Sequence, residues 1–170
     1  MSTAPMDLLD RKNQIERLLA AARRTMAEVP YCWVVTAGMD GIGAHARAVK
    51  DQKSGAGDDL WTRWFLARRV SRKVAEIGRS GRVTLAYQHA SGDAFVALSG
   101  PAELIDDRAA VESRFHPSNA YEESLVRQLL AVRVAGDHLE LHVRGVTAEP
   151  WGHGRTFLDR AADGSWHLAE

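Results

Sequence analysis

Between residues 60 and 77, LWTRWFLARRVSRKVAEI, the apolar period of the chain changes from two to about 3.6, so any fold must set a strand and a helix end to end there. Trp61, Arg63 and Phe65 alternate with Leu60, Thr62, Trp64 and Leu66, in the bulky types that suit a pleated surface, which predicts a strand over 60–66. From Val70 onward Val70, Val74 and Ile77 recur at helical spacing, so a short helix is expected to lay those three side chains on a core, with Ser71 as its cap.

A helix start presents unsatisfied N–H groups and the positive end of the dipole, and Ser71, Arg72 and Lys73 bring a hydroxyl and two cations to that point. Cations are disfavoured there unless something negative offsets them, which makes the turn a candidate phosphate site. The alternative, in which Arg68, Arg69, Arg72 and Lys73 form a solvated basic face, stays open on these residues alone.

The rest of the chain supplies the walls. An amphipathic helix is expected over 7–28, from Leu8, Leu9, Ile15, Leu18, Leu19, Ala22 and Met26, with Pro30 stopping it. Residues 31–37 and 44–50 read as a hairpin around a Gly- and Asp-rich turn, and 51–59, DQKSGAGDD, as an exposed, mobile loop. Strands are expected over 82–88 and 94–105, the latter with a bend at Gly100-Pro101, then at 129–134, 138–144, 156–160 and 165–168. Helical turns fit 106–115, opened by Asp106 and Asp107, and part of 118–128. Seven or eight short antiparallel strands with two or three peripheral helices point to a mainly β fold, a small barrel in a single domain over 1–170.

With 22 basic and 22 acidic residues the net charge is zero, so no general field draws the chain to nucleic acid or anionic lipid. An anion would have to be small and held locally. One cysteine, Cys32, excludes an internal disulfide and reads as a buried small hydrophobe. No run approaches membrane-spanning length and the N-terminus lacks a signal-peptide pattern, so a cytoplasmic protein without a membrane partner is expected.

His138, Glu140 and His142 share one strand face opposite Leu139, Leu141 and Val143, and read as a solvated face with no metal. Gly41-Ile42-Gly43 and Gly152-His153-Gly154 lack the context of dinucleotide fingerprints. Arg47 alternates with His45 and Val49, where it would either complete a dianion clamp with Lys73 or sit exposed on an edge.

The order of these stretches is the most specific signal. A leading helix, then VVTAGMDGIGAHARAV, WFLARRVSRKVAEI, RVTLAYQ and FVALSGPAELIDDR, resembles the flavin-binding split-barrel proteins typified by pyridoxamine 5'-phosphate oxidase and the small general-stress flavoproteins. The resemblance covers roughly the first two thirds of the chain. It implies an FMN-binding split β-barrel, a homodimer with the cofactor at its interface, and an oxidoreductase acting on a small-molecule substrate. Alternatives are a non-enzymatic flavin-binding or stress-related module, or the same barrel holding a deazaflavin or haem.

Residue by residue, the resemblance implies that Arg47, Ser71, Arg72 and Lys73 hold the FMN phosphate while the backbone of Leu66 and Ala67 passes the flavin. Ala67 stands where a threonine is common, and Gln52 where the family has a lysine, with Lys50 the nearest substitute. A C-terminal echo, Glu149-Pro150-Trp151-Gly152 followed by 156–160, TFLDR, implies that Trp151 and Arg160 reach the cofactor of the partner subunit. Thr156 and Leu158 stand where the oxidase uses arginine and histidine on its substrate, which counts against oxidation of pyridoxamine phosphate itself. No residue presents itself as a general acid or base.

Overall fold

A computed structural model describes residues 8–52, 54–147 and 155–169. Helix α1 (Leu8–Glu28) leads into β1 (Tyr31–Ala37), β2 (Ala44–Lys50), β3 (Thr62–Arg68) and α2 (Arg72–Ser80). Then come β4 (Arg82–Gln88), β5 (Ala94–Ile105), two short helices, α3 (Arg108–Glu112) and α4 (Ala120–Val126), and β6 (Leu129–Ala135), β7 (His138–Val143), β8 (Thr156–Arg160) and β9 (Trp166–Leu168). The described strands number nine and the helices four, slightly more than the sequence pattern predicts. No described helix is long and apolar enough to cross a membrane.

All described pairings between strands are antiparallel. One path runs β2-β1-β4-β5, and from there the sheet forks. Residues 94–99 of β5 pair with β7, which continues to β8 and β9, whereas residues 102–105 pair with β6, which continues to β3. The Gln52 amide donates to the Trp64 carbonyl at 2.9 Å, joining the end of β2 to β3 and closing a ring of six strands.

The fork falls at Gly100-Pro101 for steric reasons. A Cβ on Gly100 would collide with the Ala135 carbonyl at the end of β6, so only glycine lets the two backbones approach this closely. Pro101 follows at the crossover between partners, where it has no N–H to leave unpaired. The bend expected from sequence is this change of partner.

The barrel interior is the main core, with Phe65, Ile77, Leu85, Tyr87, Leu98, Leu139, Leu141 and Leu158 fully or almost fully buried. Helix α1 covers one side through Leu18, Ala22 and Met26. A second cluster of Trp64, Val111, Val126 and Ala131 lies where α3 and α4 meet β6 and β3. Strand β3 is therefore buried on both faces.

Four local expectations need correction. Strand β3 starts at Thr62 because a turn holds 59–61: the Asp59 carboxylate accepts from the Trp61 N–H at 2.8 Å and the Thr62 hydroxyl at 3.2 Å, leaving Leu60 exposed. Val70 does not reach the core. It precedes the cap and is 96 % exposed, while Val74 packs on the core and Ile77 is buried. The 51–59 loop is not simply exposed, since Asp51 is buried against Arg63 and the Tyr87 hydroxyl, which donates to it at 3.1 Å. The His138, Glu140 and His142 face is half-buried and partnered, His138 by Asp159 and the Phe157 ring, Glu140 by Arg155 and His142 by Phe95.

The fork makes a stability prediction. Gly100→Ala should lose at least about 2 kcal/mol in denaturant unfolding, because backbone must move to admit the methyl. Gly78→Ala, on an exposed face of α2 with an ordinary contact to Leu104, should instead gain up to about 1 kcal/mol. Equal effects of the two substitutions would contradict the steric account.

Candidate functional site: a basic cradle at the start of α2

Strand β3 hands over to α2 through Ser71, which takes extended backbone angles and accepts the Val74 N–H on its hydroxyl at 3.3 Å. That is an ordinary N-cap, and it fixes Arg72 and Lys73 as the first two helical residues. No acidic residue occupies the first turn. Arg69, just upstream, is committed to Asp106 and, at 3.0 Å, to the Arg127 carbonyl. Among the described residues neither Arg72 nor Lys73 has an ion-pair partner.

Arg72 is exposed, whereas Lys73 folds over the Phe65 ring, its ammonium 5.2 Å from the ring centre. Burial, and then the neighbouring Arg47 charge, push the Lys73 ammonium below its ordinary pKa. Arg47 comes from β2, across the barrel wall. The sequence pattern left it open between clamp and edge; it is half-buried, its Nη1 donating to Thr36 at 3.3 Å and lying 3.4 Å from Glu76. The structure thus brings Arg47 beside Lys73 at the start of α2, where Ser71 is the cap and Arg72 the exposed first residue.

Glu76 lies under this group, one turn along α2 from Arg72, with 1 % of its surface exposed. The Thr36 hydroxyl donates to its Oε2 at 2.5 Å and His45 Nδ1 lies 2.7 Å from its Oε1. The Thr36 hydrogen bond, then those of His45 and the charges of His45 and Arg47, outweigh burial and hold the carboxyl below its usual range. Sequence reasoning passed over Glu76, Thr36 and His45 as partners of the basic cluster. The signal available was spacing: His45 and Arg47 share a strand face, and Glu76 follows Lys73 by three residues and Arg72 by four.

Leu66 and Ala67 sit in β3 opposite Ala131 and Leu130 of β6. Along its other edge the described pairing of β3 is the single Gln52–Trp64 bridge, so beyond Trp64 that edge runs beside α2 with peptide groups outside any ladder. The Ala67 side chain is buried in the main core and Leu66 packs on the second cluster, leaving only their backbone along this open edge. Arg160 lies elsewhere. It pairs with Asp59 at 2.7 Å, donates to the Gly164 carbonyl at 3.2 Å and leans on Trp166, and none of these contacts is to the cradle. Trp151, with Glu149, Pro150 and Gly152, lies outside the described residues.

Residues 19–121, more than half of the chain, match the family model described as pyridoxamine 5'-phosphate oxidase like. The chain belongs to that family. No curated protein sequence matches it. Among solved structures it is similar to a pyridoxamine 5'-phosphate oxidase-related, FMN-binding protein from Nostoc punctiforme, at 12 % identity and a TM-score of 0.58 over 100 % of both chains. It is also similar to a protein related to general stress protein 26 from Clostridium acetobutylicum, at 18 % identity and a TM-score of 0.60 over 79 % of this chain and 91 % of that one. A third is PhzG from Burkholderia lata, solved with tetrahydrophenazine-1-carboxylic acid, at 17 % identity and 0.58 over 93 % and 90 %. At these identities the likeness establishes the fold, the split barrel of pyridoxamine 5'-phosphate oxidase-like proteins.

Within this family member the other polar groups of the interior have structural work. Asp51 closes β2 onto β3 through Arg63 and Tyr87, and burial raises its pKa. Cys32 is buried beside them with its thiol pushed up to about 11, mainly by desolvation, so it is no nucleophile. No group of three or more metal-ligating side chains occurs among the described residues.

Because Glu76 is held below its ordinary value of 4.5, its contribution to stability is complete above that value and is lost as pH falls through the lower folded one. Thermal melts between pH 3 and 6 should show a steeper acid-side fall for the wild type than for Glu76→Gln, whatever the height of each curve. Parallel curves would mean that Glu76 is not ionised in the fold.

Proposed function

We propose that this barrel binds FMN and works as an oxidoreductase on a small molecule, with Arg47, Ser71, Arg72 and Lys73 holding the ester phosphate. The observation that carries the reading is Lys73, half-buried at a helix N-terminus, beside a second cation, with no counter-ion among the described residues. A dianion placed there would offset both ammonium and guanidinium and take up the free N–H groups of the first turn. The donor set therefore fits a phosphate monoester. The open edge of β3 at Leu66 and Ala67 offers backbone groups to the ring system.

Bound isoalloxazine would supply the hydride chemistry, and the chain's part is to orient it and shield it from water. No described side chain is cast as acid or base. Arg160, engaged with Asp59 in its own subunit, and Trp151 would serve the partner's cofactor across a homodimer interface. Support for such an interface comes from the outer face of the sheet, where small Ala44, Ala46 and Ala48 adjoin the exposed Tyr31 and Trp33. A cytoplasmic setting suits this small, neutral protein.

Arg47→Ala with Lys73→Ala should abolish the yellow colour of the purified protein and weaken FMN by about two to four decades, since each charge-assisted bond contributes about 1.5–3 kcal/mol. Arg23→Ala with Arg24→Ala, on the exposed side of α1, should leave the cofactor in place. Equal colour in both double variants would overturn the phosphate assignment. The same spectrum separates flavin from deazaflavin and haem, and reduction by NADH or NADPH in stopped flow separates an enzyme from a binding module.

A further inference from the structure

We propose that His45 is a direct ligand of the ester phosphate and that Glu76 is the positioning residue that aims it; this rests on the phosphate reading of the cradle. One carboxylate holds both strand residues: His45 Nδ1 lies 2.7 Å from Oε1 and Arg47 Nη1 lies 3.4 Å from Oε2. His45 and Arg47 alternate along β2, opposite Thr36 and Val34 of β1, so both side chains belong to the face that turns toward α2. Glu76 is sealed, but the His45 side chain is 38 % exposed.

A carboxylate against Nδ1 fixes the tautomer, with the proton on Nδ1 and Nε2 turned outward. Nε2 has no hydrogen-bond partner among the described residues. The charged groups that the described contacts place about this imidazole are Glu76 of α2 and, on the same carboxylate, Arg47 of β2, with the uncharged Thr36 on β1; Lys73 of α2 adjoins Arg47 in turn. Arg79, in the last turn of α2, and Asp40, in the β1–β2 turn, are occupied by the Gly38 carbonyl and the Ile42 N–H. The imidazole therefore shares its carboxylate with Arg47, the strand cation of the clamp, which itself adjoins Lys73.

Contact between Nε2 and a phosphate oxygen needs one proton between them, either on the imidazolium as donor or on the phosphate as its last proton. In both forms a hydrogen-bonded row runs from Glu76 through His45 to the phosphate. The buried carboxylate thus has a use beyond partnering Arg47. It orients two donors at once and prevents the cluster from being wholly positive before the ligand arrives.

Affinities of FMN and riboflavin, measured by quenching of flavin fluorescence, isolate the phosphate contribution. His45→Phe should weaken FMN about 10- to 100-fold and leave riboflavin unchanged, with part of the loss restored in His45→Gln, which keeps an N–H. A purely structural histidine would weaken both flavins alike or neither, and either result overturns the proposal. On the wild type, in case the phenylalanine variant does not fold, the ¹⁵N resonance of His45 Nε2 should move on adding FMN and stay put on adding riboflavin; no difference between the two ligands also overturns it. If His45→Phe fails this way while the Arg47, Lys73 double variant still loses FMN, the cradle stands without His45. If that double variant binds FMN normally, the cradle itself falls.

Discussion

The structure depends on a strand that must change neighbours halfway. A barrel closed along every edge would have no room for backbone to face a ligand, whereas an open sheet would have no interior. Strand β5 resolves this by pairing with β7 up to Ser99 and with β6 from Ala102, and the exchange is possible because Gly100 lets the Ala135 carbonyl into the space a side chain would fill. The fork carries β6, and with it β3, away from the flat sheet. Among the described residues the one ladder bridge between β3 and the end of β2 is Gln52–Trp64, and the edge left open beyond it is where α2 begins.

The start of α2 carries charge in an order that electrostatics alone would not choose. Two cations at a helix N-terminus oppose the dipole, and Lys73 is also desolvated and faces Arg47. Glu76 relieves only part of this, because its oxygens are shared among Thr36, His45 and Arg47 and none reaches Lys73 in an ion pair. Strain of this kind in a fold is informative when the rest of the chain is locally consistent. Here the caps, turns and core are consistent: Ser71, Asp107 and Asn119 each cap a helix by accepting its backbone N–H groups. The cradle departs from this local consistency, which is the pattern the proposed binding role would produce.

The strands were legible because they alternate between faces with unequal surroundings. Tyr31–Ala37, Ala44–Lys50, Arg82–Gln88 and Ala94–Ile105 come out where period-two patterning and turn residues put them. β3 was less so, since Phe65 and Ala67 enter one core and Trp64 another, so both faces are apolar and the pattern no longer marks its ends. Val70 fits the helical period by coincidence; the cap at Ser71 takes precedence, and periodicity carries no information on which side of a cap a residue falls. The cations of the site were visible because a run of Arg and Lys at a helix start is unusual. Their partners were not, because His45, Thr36 and Glu76 lie on three elements brought together by the barrel, and a glutamate inside a helix is the most ordinary of residues.

A chain with no net charge cannot rely on a long-range field to find an anion. At physiological salt exposed charges are felt over about 8 Å, so Arg68 and Arg72 on the surface count for little beyond contact. On the proposed reading, affinity would come from groups that solvent screens less, namely Lys73, pressed on Phe65, and the partly buried Arg47, braced by Thr36 and Glu76. Their placement inside the wall also limits the guest. A terminal group on a slender stem could reach both donors while the bulk of the molecule stayed along the open edge of β3, and the guest proposed above, a planar coenzyme with a phosphate tail, has that form.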